Sequence, residues 1–299
     1  MADDSLKEEK SQPDPDRISV LRDWYNMFME PFAYNELLWQ MFLRDIRVRY
    51  KQAVMGVFWA VFSPLMVVFS GCVIKYVMAT VGGQELELVP FANMSVKAIA
   101  WSFFMGIVGG TCGCLIGNIG LITKIYFPRE VFPISIVSTQ LFDSGIGAGV
   151  LFILLALAGT VSWSFNLLWL PVLTLLMVML ALAIGMIVSS AMVFYRDVKY
   201  LLSVFTSFGI FYTPIFFESN QLGGTLAWVM MINPAAPLME ATRLVVVQGQ
   251  NLFMVSYDAN NVIVWHPCFL LYSAVVSIVG LALSWRYFHK MEKKYAEFI

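Results

Sequence analysis

Four basic side chains lie within eight positions of one another, at Arg44, Arg47, Arg49 and Lys51. Arginine and lysine at this density bind phosphate groups, and beside a membrane they attract anionic lipid headgroups. The cluster therefore predicts a binding site for a lipid headgroup or diphosphate at the inner leaflet. A plain electrostatic anchor at the membrane surface is the alternative.

This basic cluster belongs to an amphipathic pattern that runs from Glu36 to Lys51. At helical spacing, five polar residues of the segment fall within an arc of about 80°, and apolar residues occupy most of the opposite side. Such a helix lies in the plane of the headgroups rather than crossing the bilayer. The pattern predicts an N-terminal interface helix.

Two aromatic stripes at helical spacing could line a wet conduit for a polar substrate. A polar substrate cannot enter hydrocarbon, because each unpaired polar group costs several kcal/mol there. Flat aromatic faces would let such a substrate slide without sticking, and packing in the core or against lipid is the alternative. The predicted channel-lining residues are Phe58, Phe62, Phe69, Tyr76, Phe205, Phe208, Tyr212 and Phe216.

Two apolar pieces near the end of the chain, 225–232 and 235–247, are each too short to cross a bilayer. The helix-breaking pair Asn233-Pro234 separates them, and Glu240 and Arg243 lie three apart, where they can pair on one helical face. These features predict two short re-entrant helices on the outer side, against the alternative of a surface loop. The predicted outer gate consists of Asn233, Pro234, Glu240 and Arg243.

The elements that must position these residues are membrane-spanning. Residues 144–195 contain no Asp, Glu, Lys or Arg, and the chain is 59% hydrophobic and only 13% charged, with a mean hydropathy of +0.73. A soluble domain needs more surface charge than this. The net charge of −1 gives no electrostatic basis for binding nucleic acid.

Uncharged windows predict six transmembrane helices in an all-α fold. The windows run over about 53–74, between 97 and 124, from 131, over 167–195, over 200–217 and over 259–285. Residues 1–33 are expected to be a largely flexible cytoplasmic tail, and residues 34–299 the transmembrane domain. Asp143 is the acid that lies well inside a span, and it could pair with a neighbouring helix, cap a break or face water.

The distribution of basic residues predicts the orientation. Of the 19 Lys and Arg residues, 16 fall on one side of the predicted spans, and the exceptions Lys75, Lys97 and Arg243 fall at or beyond the outer ends. Basic residues accumulate on the cytoplasmic side of membrane proteins. Both termini are therefore expected in the cytoplasm.

The sequence favours neither a metal site nor a catalytic site in this chain. Cys112 and Cys114 lack zinc-ligand spacing, and His266 and His289 fall near opposite membrane faces. A membrane transferase would need clustered acids or histidines, and a secondary transporter would need more ionisable residues at mid-membrane. The chain is expected to have no catalytic residues, bound metal or cofactor of its own.

Four blocks resemble type 2 ABC exporter permeases, and within that family the subunits that export bacterial polysaccharides such as O-antigen, teichoic acid and capsule. The blocks are LRDIRVRYKQ at 43–52, NIGLITKIYFPRE at 118–130, FYRDV at 194–198, and Asn233-Pro234 with the following Glu240 and Arg243. They recur in the family's order from about residue 34 onward.

The resemblance implies a homodimeric permease of the bacterial inner membrane that moves a lipid-linked polysaccharide, most similar to the O-antigen type. Export of capsule, teichoic acid or a small hydrophobic drug or lipid is the alternative. Two copies of a separate ABC ATPase subunit would bind ATP and Mg and hydrolyse the ATP, since the sequence lacks the phosphate-loop motif G-x-x-x-x-G-K-[ST].

The resemblance also implies a short coupling helix at 120–129 that docks into the ATPase. Large apolar side chains exposed between two bases would fill a groove of that partner, and an ordinary hairpin is the alternative. The predicted coupling residues are Lys124, Ile125, Tyr126, Phe127 and Arg129.

Overall fold

A computed structural model describes residues 28–51, 58–82, 88–124, 127–216, 229–257 and 263–298. These residues are mostly helical, and their α-helices are α1 (Asn35–Lys51), α2 (Phe58–Gly82), α3 (Leu88–Cys112), α4 (Cys114–Gly117), α5 (Ile119–Ile122), α6 (Val131–Leu157), α7 (Trp169–Phe194), α8 (Val198–Tyr212), α9 (Ala235–Arg243) and α10 (Pro267–Phe298). A 3₁₀ turn (Phe165–Leu168) leads into α7, and a π-helical turn (Leu244–Gln248) follows α9.

Four helical segments are long and apolar enough to cross a bilayer: Leu88–Cys112, Val131–Leu157, Phe165–Phe194 and Pro267–Glu292. They confirm the prediction of a helical membrane protein. The shorter apolar helices are Val68–Gly82 within α2 and Val198–Tyr212, which is α8. At 1.5 Å per residue the 15 residues of α8 cover only about 22 Å, so the predicted count of six spans stays a prediction.

Helix α7 packs against both α10 and α3, and α6 packs against α3 and also contacts α7. Small residues allow these close approaches. A Cβ at Gly106 or Gly110 of α3 would come within 2.7 Å of side-chain atoms of α6, and one at Gly185 of α7 would come within 2.8 Å of Thr111. Gly109 of α3 faces open space, so only part of the glycine-rich surface of α3 serves packing.

The bundle has two distinct ends. At one end, which we call the basic end, Arg129 and Glu130 before α6 contact Glu292 and His289 near the end of α10. At the opposite end, Asn166 in the connection between α6 and α7 donates a hydrogen bond of 2.6 Å to the carbonyl of Gly249. Helices α6 and α10 therefore run in opposite directions.

Several predicted boundaries were wrong, each for a physical reason. Helix α3 begins at Leu88 rather than after Lys97, because Lys97 is neutralised inside the protein by Glu240. Helix α8 ends at Tyr212, because Thr213 precedes Pro214 and is extended.

The helical expectation is confirmed, with one short exception among the described residues. Two short antiparallel strands, β1 (Ser256–Tyr257) and β2 (Ile263–Trp265), precede the last long helix. Consequently α10 starts at Pro267, where proline suits the first turn of a helix, and not near residue 259.

Helix α9 is buried among α3, α7 and α10. Asn233 precedes this helix by two residues, and its side chain accepts a hydrogen bond of 3.2 Å from the backbone N–H of Ala235, the first helical residue. Gly249 ends the following π-helical turn at φ 61°, where a Cβ would also come within 2.3 Å of Ser162. A loop on the surface is therefore wrong for this piece. Much of the other short piece lies outside the described residues, and re-entry from the outer side stays a prediction.

Candidate functional site

Helix α1 is attached to the bundle by its basic face. The Arg44 guanidinium donates to Oδ1 of Asn118, between α4 and α5, at 2.8 Å. It also binds Asp45 within α1 at 2.8 and 2.9 Å. Met41 of the same helix is buried in the core. The predicted helix exists and is bonded to the bundle, and its place in the plane of the headgroups stays a prediction.

Asp143 of α6 provides a second point of attachment for α1. The Arg49 guanidinium and the Tyr50 hydroxyl each donate a hydrogen bond to one of its carboxylate oxygens. Partial burial raises the pKa of Tyr50, so the hydroxyl keeps its proton and acts as the donor. Of the three roles left open for Asp143, pairing with a neighbouring helix is the one observed.

The remaining bases of the cluster are exposed in the part of the chain that the structure describes. Arg47 and Lys51 are both exposed, and they lie four apart on one face of α1. Arg44 and Arg49, in contrast, are used in holding the helix. A headgroup site therefore stays a prediction, and it depends on Arg47 and Lys51 more than on the full set of four.

The predicted coupling segment is only partly exposed. Lys124 is exposed, and Ile125 and Tyr126 lie outside the described residues. Phe127 is buried, with its ring centroid 5.4 Å from that of Phe132. The expectation that Phe127 is an exposed docking residue was therefore wrong, because the chain turns directly from it into α6 and carries its ring into the core.

Arg129 is buried as well, and it faces the protein rather than a partner. Its Nη1 donates to the carbonyl of Glu292 at 2.6 Å, and its Nε lies 3.8 Å from a carboxylate oxygen of the same residue. Beside it, Nδ1 of His289 lies 2.9 Å from Oε1 of Glu130. Sequence reasoning missed this cluster, since Glu130 and His289 are 159 positions apart.

Most of the predicted channel-lining aromatics are exposed on the described surface of the single chain. Phe58, Phe69 and Tyr76 project from α2 and Phe205, Phe208 and Tyr212 from α8, all at least half exposed. Phe62 is half-buried beside Phe58, at 5.7 Å between ring centroids. These six exposed rings are available to a lumen, to lipid or to another protein chain.

Phe216 is the exception among the predicted channel residues. It is buried and packs against α2 at Gly71, where a Cβ would come within 3.0 Å of its ring. The segment after α8 therefore contacts α2. A channel-lining role does not fit Phe216 in this arrangement, because its ring is used in joining the two aromatic helices.

The predicted gate residues Glu240 and Arg243 form a fully buried ion pair. Their closest atoms are 2.5 Å apart, which confirms that the two residues pair on one helical face. Lys97 of α3 approaches the other carboxylate oxygen at 3.5 Å. Lys97 and Arg243 are both buried inside the bundle, and their place at or beyond the outer ends of the spans stays a prediction. A gating role for the cluster stays a prediction.

Comparison with known proteins agrees with this helical membrane architecture. Residues 36–247 match the ABC-2 type transporter family, and the chain belongs to that family. It resembles proteins described as O-antigen export system permease protein RfbA. One from Klebsiella pneumoniae is 26% identical over 263 residues, covering 86% of this chain and 92% of the relative.

Two further relatives carry the same description. A second RfbA from Klebsiella pneumoniae is 24% identical over 266 residues, again covering 86% of this chain and 92% of the relative. An RfbA from Myxococcus xanthus is 26% identical over 213 residues, covering 70% of this chain and 80% of the relative. These similarities confirm the resemblance to type 2 ABC permeases for polysaccharide export.

Proposed function

We propose that this chain is the permease subunit of an ATP-driven exporter that moves a lipid-linked polysaccharide of the O-antigen type across the cytoplasmic membrane. The observation that carries the proposal is the similarity to RfbA proteins, which extends over 86% of this chain and 92% of the relative. The family match at residues 36–247 includes nearly all of α1 and the buried cluster around Glu240.

The exporter needs partners that this chain does not provide. Two copies of an ABC ATPase would hydrolyse ATP with Mg, and a second copy of the chain would complete the conduit. The exposed aromatic faces of α2 and α8 support this assembly, because apolar surface of that extent needs lipid or protein to cover it. In the assembled exporter these rings would line the passage for the sugars.

Substrate capture would begin at α1. The exposed Arg47 and Lys51 would bind the diphosphate that links glycan to lipid, as basic side chains bind anionic headgroups. The attachment of α1 through Arg49 and Asp143 supports this role, since it holds those two bases at a fixed place beside α6. The lipid would stay in the leaflet while the glycan enters the conduit.

The test is a transport assay with the complete exporter. The chain is co-expressed with the ABC ATPase that co-purifies with it and is reconstituted into vesicles whose outer leaflet corresponds to the cytoplasm. Radiolabelled polyprenyl-diphosphate-linked O-polysaccharide is added, and a glycosidase outside the vesicles measures its accessibility. ATP is expected to protect the glycan from the glycosidase, because transport moves it into the vesicles. A non-hydrolysable ATP analogue is expected to leave the glycan accessible.

The same assay separates the alternative substrates. Parallel vesicles receive a capsular glycan, a lipid-linked teichoic acid or a small hydrophobic dye. If ATP protects only the capsular glycan or only the teichoic acid, the proposed substrate is wrong and the proposed mechanism of ATP-driven glycan export stands. Transport of the dye, with every glycan still accessible after ATP addition, would overturn the proposal.

A further inference from the structure

Glu130, His289 and Glu292 meet at the basic end, where the segment before α6 contacts α10. Nδ1 of His289 lies 2.9 Å from Oε1 of Glu130 and 3.8 Å from Oε2 of Glu292. One ligand atom from each residue lies within 4.8 Å of the other two. Metal–ligand bonds of about 2.0–2.2 Å place tetrahedral donors about 3.5 Å apart, so small side-chain rotations would bring these three donors onto a single ion.

The burial of Glu130 suggests that the cluster is incomplete. Its side chain is 1% exposed, and its Oε2 is buried without a hydrogen-bond partner among the described residues. A buried carboxylate oxygen left unpaired is costly, and a bound cation removes that cost. His289, whose side chain is 42% exposed, provides access from solvent.

Among the described residues, Arg129 places a positive charge beside the cluster, next to one oxygen of Glu292. Its Nε lies 3.8 Å from Oε1 of Glu292, which leaves Oε2 of that carboxylate toward His289. Two carboxylates and a neutral imidazole would balance a divalent ion, and Arg129 would remain outside the coordination sphere. Imidazole with carboxylates is a donor set for zinc and related transition metals rather than for calcium or magnesium.

We propose that Glu130, His289 and Glu292 form a binding site for one divalent transition-metal ion, of which Zn²⁺ is the probe. The bound ion would fasten the start of α6 to the end of α10. Glu130 lies six positions after Lys124. The bound ion would therefore stiffen the connection at the predicted coupling segment. The binding itself does not depend on the proposed transport function.

The test measures Zn²⁺ binding to the purified full-length chain. All proteins carry Cys268→Ser, because exposed Cys268 lies beside His266 and could bind zinc on its own. Metal is stripped with a chelator, and the stoichiometry and Kd are measured by elemental analysis and calorimetry. His289→Gln and Glu292→Gln are the test variants, and His266→Gln is the matched histidine control.

One Zn²⁺ per chain is expected, with binding weakened at least about tenfold by either test variant and unchanged by His266→Gln. Co²⁺ provides a second readout, since its visible absorption reports nitrogen and oxygen ligands and should change in His289→Gln. The proposal is overturned if the parent binds no stoichiometric metal, if both test variants bind as tightly as the parent, or if His266→Gln removes the binding.

Discussion

At the scale of single residues, one buried carboxylate serves two cations. Glu240 lies 2.5 Å from Arg243 and 3.5 Å from Lys97, and all three side chains are at most 1% exposed. Charges at this depth are tolerated only when they are paired. Replacing Glu240 is therefore expected to be more damaging than replacing either cation, because the loss of Glu240 leaves two buried positive charges facing each other.

We expect Glu240→Gln to lower the free energy of unfolding by about 3–5 kcal/mol, the usual cost of leaving buried charges without their partner. Lys97→Met should cost much less, since the pair of Glu240 and Arg243 survives it. Chemical unfolding in detergent, followed by tryptophan fluorescence, gives the values. Glu36→Gln on exposed α1 is the matched control, and a Glu240→Gln protein as stable as this control would contradict the argument.

Asp143 provides a second prediction at this scale. Asp143→Asn removes the ion pair with Arg49, and hydrogen bonds to charged groups contribute about 1.5–3 kcal/mol. Amide hydrogen exchange across 35–51 should therefore accelerate by about tenfold or more. Asp45→Asn is the control, because Asp45 pairs with Arg44 inside the same helix. Equal exchange in the two variants would show that Asp143 does not hold α1.

At the scale of elements, the segment between α5 and α6 has one exposed base and a buried end. Lys124 is exposed, and Phe127 is buried against Phe132. A charge placed at Phe127 would disturb the core, so loss of function there would say nothing about docking. Lys124 is the position at which contact with the ATPase can be tested without unfolding the chain.

We expect Lys124→Glu to reduce co-purification of the ATPase subunit, because it reverses a charge at the rim of the proposed docking segment. Lys290→Glu is the control, since Lys290 is also exposed and lies on α10 near the basic end. Co-purification is measured by quantitative immunoblot at matched permease levels. If both variants retain the ATPase equally, the docking segment lies elsewhere.

Helix α1 allows the basic cluster to be divided into two functions. Arg47→Glu with Lys51→Glu should leave folding intact and reduce glycan export at least tenfold, because both side chains are exposed and would no longer attract a diphosphate. Arg49→Glu should instead lower the yield of folded protein, since it places a second acid beside Asp143. Export by the double variant at the parent's rate would remove the proposed role.

Much at this scale could be predicted from local pattern. The uncharged stretch before Tyr195 contains α7 almost at its predicted bounds, and Pro214 marks the end of α8. Burial of Lys97 could not be predicted, because its partner Glu240 is far away in the sequence and only tertiary packing joins them. The same holds for Glu130 and His289, whose pairing depends on α6 and α10 being antiparallel.

At the scale of the whole molecule, the proposed orientation places the basic end in the cytoplasm. Cys268, at the start of α10 and toward the opposite end, is the exposed member of the four cysteines. A membrane-impermeant maleimide should therefore label Cys268 in intact cells.

The labelling has a direct control. In a Cys268→Ser background, a cysteine placed at exposed position Lys124 should react only after the cells are permeabilised. Labelling is read as a mass shift of the purified chain. The reverse pattern would invert the proposed orientation.

The order of synthesis gives the contact between α1 and α6 a consequence for membrane insertion. Asp143 enters the bilayer within an apolar helix, and an isolated acid there costs about 2.5–3.5 kcal/mol. Arg49 is translated 94 residues earlier, so its guanidinium is already made when α6 leaves the ribosome. The carboxylate can therefore be neutralised as it arrives, and α1 would act as a guide for biogenesis before it has any part in export.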